Sequence, residues 1–314
     1  MSLLIAMNQW DVESWRTRFQ RHLPGMEVVA LGEPFDRRAV RFAASWKHPA
    51  GSLAGLPQLE AIFSLGAGVD HLFADSRLPE VPLARVVDPD LTARMTEYVV
   101  LHCLIALRQQ RLYDQRQRAS QWIDDRNQPA ARDVRVGILG MGVLGLDAAG
   151  KLMGLGFDVA CWSRTRRDVE GLASFAGTDG FKPFLARTDI LVNLLPATPE
   201  TDGILNRQTF AALARDGRLG GPVIINAGRG ASQNEADIVA CLDDGTLQHA
   251  TLDVFRKEPL DPASPFWLHP KVTVTPHNAA MSSPDAICAL IARQIDRLER
   301  DLPLEYQVER ARGY

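Results

Sequence analysis

The sequence has few of the features that mark secreted, membrane-bound or nucleic-acid-binding proteins. Its 314 residues include four widely spaced cysteines without a C-x-x-C pair, Cys103, Cys161, Cys241 and Cys288. This spacing favours reduced core thiols over disulfides or a zinc site. No apolar run is long enough to cross a membrane, and the N-terminus lacks the basic and apolar segments of a signal peptide. A net charge of −3 gives no reason to expect a nucleic-acid partner. We therefore expect a cytoplasmic protein with no metal site and no membrane partner.

What the sequence does contain is a repeated alternation of short apolar strands and helical patterns. In the first 90 residues these are LLIAM, a helix from Val12 to His22, EVVALG, a helix into RFAASW, and AIFSLGAGVD. The later repeats VRVGILG, FDVACW, DILVNLLP, PVIINAG, HATLDV and VTVTPH are mostly separated by helical segments. Strand and helix repeats of this kind predict parallel sheets with helices on both faces.

Two segments define the predicted domain organisation. Residues from Leu91 to about Ile123 are free of glycine and predict one long helix that crosses between domains or packs on a second subunit. Trp122, at its end, either anchors an interface or closes a local core. A final helix after Met281 can return to the first domain. We predict an α/β fold with two Rossmann-like domains and doubly wound parallel sheets. The nucleotide domain, 91–281, is inserted into a smaller substrate domain, 1–90 and 282–314.

A glycine-rich turn at Val134 to Gly145, VRVGILGMGVLG, is the strongest single motif. Gly140, Gly142 and Gly145 have the G-x-G-x-x-G spacing of a dinucleotide-binding turn between a strand and a helix. A glycine-rich corner of any doubly wound domain is the alternative. The apolar strand before the turn and the helical run after it favour a nucleotide site, with the pyrophosphate on the helix N–H groups.

The end of the next strand bears on the choice of cofactor. An NAD site usually places an acidic residue there, about 20 residues after the turn, to bind the ribose hydroxyls. Here the strand continues as Ser163-Arg164-Thr165-Arg166-Arg167. Because guanidinium groups suit a phosphate, we predict NADPH as the preferred cofactor and NADH as a weaker one. A solvated basic loop is the alternative.

Three polar residues follow the last three predicted strands: Arg229, Glu258 and His277. The carboxyl ends of parallel strands line the ligand crevice of such a sheet, so the three are expected to converge. Reducing a 2-oxo acid needs a cation for the carboxylate and ketone, which fits Arg229, and a proton donor, which fits His277. Glu258 is placed to orient that imidazole. Taken singly, each has an ordinary explanation, as a helix-entry charge, a surface acid or a loop histidine.

A further loop, Leu65 to Asp70, follows a predicted strand and is bracketed by glycines. Successive N–H groups there could form a nest for a carboxylate, although a simple tight turn is the alternative.

The blocks GAGVDHL, GILGMGVLG, LLPATPET, INAGRG, LDVFRKEPL and TPHNAA resemble the D-2-hydroxyacid dehydrogenase family. The segments WSRTRR, SFAG, SPFWLHP and RARGY are similar to the bacterial glyoxylate/hydroxypyruvate reductases of the A type. The resemblance implies a catalytic set of Arg229, Glu258 and His277, the first and last of which also contact substrate. It implies a homodimer, with Trp122 reaching towards the partner.

Binding roles are also implied residue by residue. Substrate carboxylate would meet the backbone of Ala67 and Gly68, and Asp253 would meet the nicotinamide carboxamide. The cofactor-binding positions are Gly140, Met141, Gly142, Val143, Leu144, Gly145, Ser163, Arg164, Arg166, Leu195, Pro196, Ala227, Gly228 and Asp253.

The function expected from the sequence is NADPH-dependent reduction of small 2-oxo acids, glyoxylate to glycolate and hydroxypyruvate to D-glycerate. Two alternatives stay open. A reductase of bulkier 2-oxo acids has the same catalytic groups, because the sequence does not measure pocket volume. A dinucleotide-sensing binding protein has the same fold, since fold does not fix function.

Overall fold

Parallel strands and flanking helices form two α/β units in the computed structural model, which describes residues 1–8, 11–125 and 128–313. One unit is Met1–Leu91 with Ser282–Tyr314, and the other is Thr92–Met281. Residues 9, 10, 126, 127 and 314 lie outside the described part, including Tyr314 of the RARGY segment. The strands are β1 (Ser2–Met7), β2 (Glu27–Ala30), β3 (Val40–Trp46), β4 (Ala61–Ser64), β5 (Leu83–Ala84), β6 (Arg135–Leu139), β7 (Asp158–Ser163), β8 (Ala173–Ala176), β9 (Ile190–Asn193), β10 (Val223–Asn226), β11 (His249–Leu252) and β12 (Val272–Val274).

Nine α-helices of the described residues lie between or after these strands. They are α1 (Val12–His22), α2 (Asp70–Phe73), α3 (Pro89–Leu107), α4 (Gln110–Arg118), α5 (Val143–Gly154), α6 (Gly177–Ala186), α7 (Arg207–Ala211), α8 (Glu235–Asp243) and α9 (Pro284–Glu299). Helix α1 begins where its sequence pattern predicts, because the Asp11 carboxylate accepts the Ser14 N–H at 3.2 Å and caps the first turn.

The first unit contains a five-stranded parallel sheet in the order β2-β1-β3-β4-β5. Both faces are buried, since Leu3 and Ile5 of β1 belong to one apolar cluster and Leu4 and Ala6 to another. Helix α9 contributes Ile291 and its apolar neighbours to the cluster that contains α1. The C-terminal segment therefore completes the core of the N-terminal unit.

The helix expected before RFAASW is wrong. This segment is strand β3, and the described residues 31–39 that lead to it contain no helix. Phe42, Ala43 and Ala44 of β3 are fully buried. A strand with both faces buried loses the polar alternation that distinguishes it from a buried helix, so the pattern did not identify it.

The second unit contains a seven-stranded parallel sheet in the order β12-β11-β10-β9-β6-β7-β8. Val136 and Ile138 of β6 pack in one apolar cluster, and Leu139 and Leu191 pack in another. The sheet is thus doubly wound as predicted. The order reverses between β6 and β9, which pair in register with Val136 opposite Ile190. A crevice at the carboxyl ends of these two strands is the expected ligand position.

The long helix predicted from Leu91 to Ile123 is wrong as a single element. It divides into α3 and α4 at Gln109, whose φ of 52° is left-handed, and α4 ends at Arg118. A non-glycine residue makes this break, so no glycine marks it in the sequence. Trp122 lies beyond the helix and is fully exposed, at 101%. The alternative in which Trp122 closes a local core within a single copy of the chain is therefore wrong.

The four cysteines are buried and unpaired. Burial raises the pKa of Cys161 and Cys288 to about 12, which keeps both thiols protonated. Across the described ranges, no helix is long and apolar enough to span a membrane, and no group of His, Cys, Asp and Glu side chains is arranged to hold a metal ion.

Candidate active site

The predicted site residues of the second unit all lie at or just after the carboxyl ends of its strands. The glycine turn follows β6, the basic loop follows β7, Leu195 and Pro196 follow β9, and Arg229 follows β10. Asp253 and Glu258 follow β11, and His277 follows β12. Because all seven strands are parallel, these loops share one edge of the sheet.

His277 and Glu258 form a direct pair. The Nδ1 atom of His277 lies 2.8 Å from Oε2 of Glu258, and the second carboxylate oxygen accepts the Phe255 N–H at 3.0 Å. The backbone bond fixes the carboxylate, which in turn fixes the imidazole. Nε2 is then the ring nitrogen that can exchange a proton with a substrate. Since the His277 side chain is 46% exposed, such a substrate can reach it.

Arg229 lies on a loop that packs against the segment leading to Glu258. A Cβ atom at Gly230 would lie 2.0 Å from the carbonyl carbon and oxygen of Phe255, so only glycine allows this approach. The Arg229 Nη1 donates to the Gly228 carbonyl oxygen at 2.8 Å. The backbone of the Arg229 loop thus comes close to that of the segment leading to Glu258.

Buried amides that the sequence analysis missed hold the Arg229 loop. The Asn226 side chain donates to Gln233 Oε1 at 2.8 Å and accepts from Asn193 at 2.9 Å. Gln233 donates to the Val254 carbonyl at 3.0 Å. Since all three amides are fully buried, each needs its hydrogen bonds, and together they join β9, β10 and the residues after β11. An amide at the last residue of a strand, as at Asn193 and Asn226, was the available signal.

The glycine turn has the geometry of a dinucleotide site. Gly140 has a φ of 115°, and a Cβ at Gly145 would lie 1.9 Å from the Gly140 carbonyl oxygen. Gly142, the N-cap of α5, has open space where its Cβ would be, and no side chain caps the helix. The amino end of α5 therefore has no side-chain cap, and its first N–H groups can bind a pyrophosphate. The turn fits the predicted cofactor.

The basic loop after β7 is folded back on itself. Ser163 Oγ donates to the Thr165 carbonyl at 2.7 Å, and Arg166 pairs with Asp168 at 3.0 Å. Both members of that pair are mostly exposed, so water and salt weaken the interaction and a phosphate can replace it. Arg167, which was not among the predicted site residues, donates to the Met141 carbonyl at 2.8 Å. It ties the basic loop to the glycine turn.

In the first unit, hydrogen bonds from side chains that the sequence did not single out hold the glycine-bracketed loop. Ser64 Oγ donates to the Gly68 carbonyl at 2.9 Å and accepts the Gly66 N–H at 3.2 Å. His71 Nε2 lies 3.2 Å from the same oxygen and must donate to it, because the hydroxyl hydrogen is used on Gly68. Trp46 leaves no room for a Cβ at Gly66. The backbone around Ala67 and Gly68 is therefore preformed.

Comparison with known proteins shows similarity along almost the whole chain. Residues 100–279 match the model of the D-isomer specific 2-hydroxyacid dehydrogenase NAD-binding domain. The chain is 40% identical over 307 residues to glyoxylate/hydroxypyruvate reductase A of Serratia proteamaculans (strain 568), covering 95% of each sequence.

The chain belongs to the D-isomer specific 2-hydroxyacid dehydrogenase family.

Two solved structures of this dehydrogenase family are similar throughout. An NADPH-dependent glyoxylate/hydroxypyruvate reductase from Sinorhizobium meliloti, in complex with NADP and sulfate, is 47% identical, with a TM-score of 0.93 and full coverage of both chains. A probable 2-hydroxyacid dehydrogenase from Rhizobium etli CFN 42, in complex with NADP, HEPES and L(+)-tartaric acid, is 43% identical. Its TM-score is 0.95, with 100% of this chain and 99% of that chain covered. The predicted family and fold class are confirmed. The prediction that the protein is an enzyme is confirmed with them.

Proposed function

We propose that the protein reduces small 2-oxo acids with NADPH, converting glyoxylate to glycolate and hydroxypyruvate to D-glycerate. The observation that carries the proposal is the 2.8 Å contact of His277 with Glu258 at the strand-end edge that also bears the glycine turn. Carbonyl reduction requires a proton donor together with the hydride that a bound dinucleotide supplies. Full-length relatives named as reductases of these two substrates support the substrate class.

The proposed chemistry assigns each of the three polar residues a separate task. NADPH, when bound, supplies the hydride that goes to the carbonyl carbon. Arg229 binds the substrate carboxylate and polarises the ketone, which stabilises negative charge on its oxygen. His277 donates its Nε2 proton to that oxygen, while Glu258 stabilises the imidazolium before transfer. Ala67 and Gly68 offer backbone N–H groups to the carboxylate.

The proposed cofactor contacts follow the strand-end loops. The pyrophosphate binds at the turn formed by Gly140, Met141, Gly142, Val143, Leu144 and Gly145. The 2′-phosphate binds Ser163, Arg164 and Arg166, and the nicotinamide end lies near Leu195, Pro196, Ala227, Gly228 and Asp253. This assignment makes NADPH the preferred cofactor and NADH a weaker one, because the loop after β7 presents cations where an NAD site has an acid.

We further propose that the enzyme is a cytoplasmic homodimer. Four buried, unpaired thiols suit a reducing compartment. Trp122 is fully exposed, and the neighbouring Ile123 is 51% exposed, so this segment presents apolar surface suited to a second copy. Leu101, at 53% exposed, adds apolar surface on α3.

A steady-state assay tests the proposal directly. The decrease of NADPH with glyoxylate, hydroxypyruvate and phenylpyruvate is followed, and each reaction is repeated with NADH. We expect the largest kcat/KM with NADPH and one of the two small acids. Faster turnover of phenylpyruvate would favour the bulkier-substrate alternative. NADPH binding without turnover of any 2-oxo acid would contradict the proposal and favour a dinucleotide sensor.

A further inference from the structure

The backbone of His277 has a conformation that a side-chain-bearing residue rarely adopts. Its φ is 55°, in the left-handed region. Contacts outside the residue must therefore hold it there. The His277 N–H donates to the Asp253 carbonyl oxygen at 2.8 Å. The next two N–H groups, of Asn278 and Ala279, donate to the two carboxylate oxygens of Asp253 at 3.0 and 3.1 Å. One residue thus binds three successive amides of the loop.

The Asp253 carboxylate is itself held by a hydroxyl. Thr275 Oγ1 donates to Asp253 Oδ1 at 2.6 Å, and Asp253 is only 1% exposed. An ionised carboxylate only accepts hydrogen bonds, so the single hydroxyl hydrogen of Thr275 is committed to this contact. The contact fixes the rotation of the carboxylate, and with it the geometry of both amide bonds.

The chain of hydrogen bonds continues to helix α3. Tyr98 Oη lies 2.8 Å from Thr275 Oγ1. Because the Thr275 hydrogen points to Asp253, Tyr98 must be the donor, and the direction of the chain is Tyr98 to Thr275 to Asp253. Tyr98 is buried, and its ring packs on that of His102 with centroids 4.4 Å apart. This packing fixes the ring and therefore holds its hydroxyl oxygen next to Thr275 Oγ1.

We propose that Tyr98 is a positioning residue for His277 and acts through Thr275 and Asp253. The family resemblance gives Asp253 only one role, a contact with the nicotinamide carboxamide. In this arrangement its carboxylate also sets the position of the imidazole relative to Glu258. All five residues lie in the unit Thr92–Met281. The catalytic part of this inference rests on the proposed role of His277 as proton donor.

The removal of one hydroxyl group, that of Tyr98, tests the inference. In Tyr98→Phe, the ring packing on His102 is kept, but Thr275 loses its donor and its hydroxyl can turn away from Asp253. We expect kcat for 2-oxo acid reduction to fall about fivefold, the factor that corresponds to one ordinary hydrogen bond. The KM for NADPH should change less than kcat.

The pH profile separates positioning from a purely structural role. In the proposed reduction His277 donates a proton, and its Nδ1 contact with Glu258 orients the ring for that step. A loosened contact with Glu258 should therefore change the dependence of kcat/KM on pH in Tyr98→Phe. The other titratable groups around the loop are Asp253, Tyr98 and His102. Burial lowers the pKa of His102 to about 4, so His102 does not titrate near neutral pH.

Variants of Thr275 test whether Tyr98 acts on His277 through Thr275 and Asp253. Thr275→Val breaks the chain, whereas Thr275→Ser keeps the hydroxyl and should restore both kcat and the pH profile. If the residues act as one chain, Tyr98→Phe combined with Thr275→Val should be no slower than the slower single variant. Tyr113→Phe is the control, because its hydroxyl accepts from Gln128 at 3.0 Å, away from the loop. It should leave kcat and the pH profile unchanged.

Hydrogen exchange provides a readout that does not depend on activity. The amides of residues 277–279 should exchange faster in Tyr98→Phe than in wild type, and no faster in Tyr113→Phe. If the wild type reduces no 2-oxo acid, the proposed function fails while the exchange measurement still tests the positioning. Unchanged exchange at 277–279 in Tyr98→Phe would overturn the inference, as would an unchanged pH profile in an active enzyme.

Discussion

At the scale of single residues, the choice of cofactor depends on the basic loop after β7. Arg166 pairs with exposed Asp168, and Arg167 donates to the Met141 carbonyl. Hydrogen bonding by Thr198, with a smaller contribution from the positive charge of Arg164, lowers the pKa of Glu200. We propose that Arg164 and Arg166 are the cations that bind a 2′-phosphate.

We expect Arg164→Ser to raise the KM for NADPH roughly tenfold or more, the range for a lost hydrogen bond between charged groups, and to leave the KM for NADH nearly unchanged. The control is Arg218→Ser, which makes the same change of charge on an exposed residue before β10, at the amino end of the strands. Steady-state kinetics with both cofactors measures the effect. Equal losses with NADPH and NADH would contradict a phosphate contact.

The three polar residues after the last strands could be predicted because the carboxyl-end rule needs only strand positions. The residues that support them could not. Tyr98 lies 177 positions from its partner Thr275, and His71 reaches Ser64 across a loop. Such contacts depend on the tertiary packing of elements that are distant in sequence, and nothing in the local pattern around Tyr98 distinguishes it from an ordinary apolar position of a helix.

At the scale of elements, helix α5 and its turn show which glycines matter. In Gly145→Ala, the new Cβ would overlap the Gly140 carbonyl oxygen, whereas Gly150 of the same helix is exposed and has open space at its Cβ position. We expect Gly145→Ala to lower the free energy of unfolding by about 1 to 3 kcal/mol and to weaken NADPH binding.

The matched change Gly150→Ala should raise stability by up to about 1 kcal/mol, because alanine favours a helix interior. NADPH binding should not change in this variant. Denaturant unfolding and a fluorescence titration with NADPH measure the two properties. If both variants behaved alike, the close approach at Gly145 would not be what the turn requires.

Most elements of the fold could be predicted from their apolar patterns, including α1 and six strands of the second sheet. The errors have physical causes. Strand β3 is buried on both faces and shows no alternation, so its segment was read together with a helix. The break at Gln109 uses a left-handed residue other than glycine. Strand β8 has no fully buried residue and gave too weak an apolar signal to be identified.

At the scale of the whole molecule, two histidines, one buried and one half-buried, make stability depend on pH. Burial, with the nearby Arg111 charge as a second cause, lowers the pKa of His102 and of His249 from 6.5 to about 4. Above pH 6.5 both imidazoles are neutral in the folded and unfolded chain. As the pH falls towards 4, the unfolded chain binds the protons first, so the free energy of unfolding decreases.

We expect the Tm to fall between pH 7 and pH 4.5 by less in His102→Phe than in wild type. Phenylalanine does not titrate and keeps a ring against Tyr98. Nδ1 of His102 has no hydrogen-bond partner within the described residues, so the change should remove no bond of that atom. Thermal unfolding at both pH values is the measurement. An identical pH dependence in the two proteins would rule out His102 as a contributor.

The central claim is that His277, oriented by Glu258, protonates the substrate oxygen in a 2-oxo acid reductase. Its most direct test is the turnover of His277→Ala with NADPH and the better of glyoxylate and hydroxypyruvate, alongside the Kd for NADPH. The account predicts a loss in kcat of roughly a hundredfold or more, the usual contribution of a general acid, with an almost unchanged Kd. Near-normal turnover in His277→Ala would contradict it.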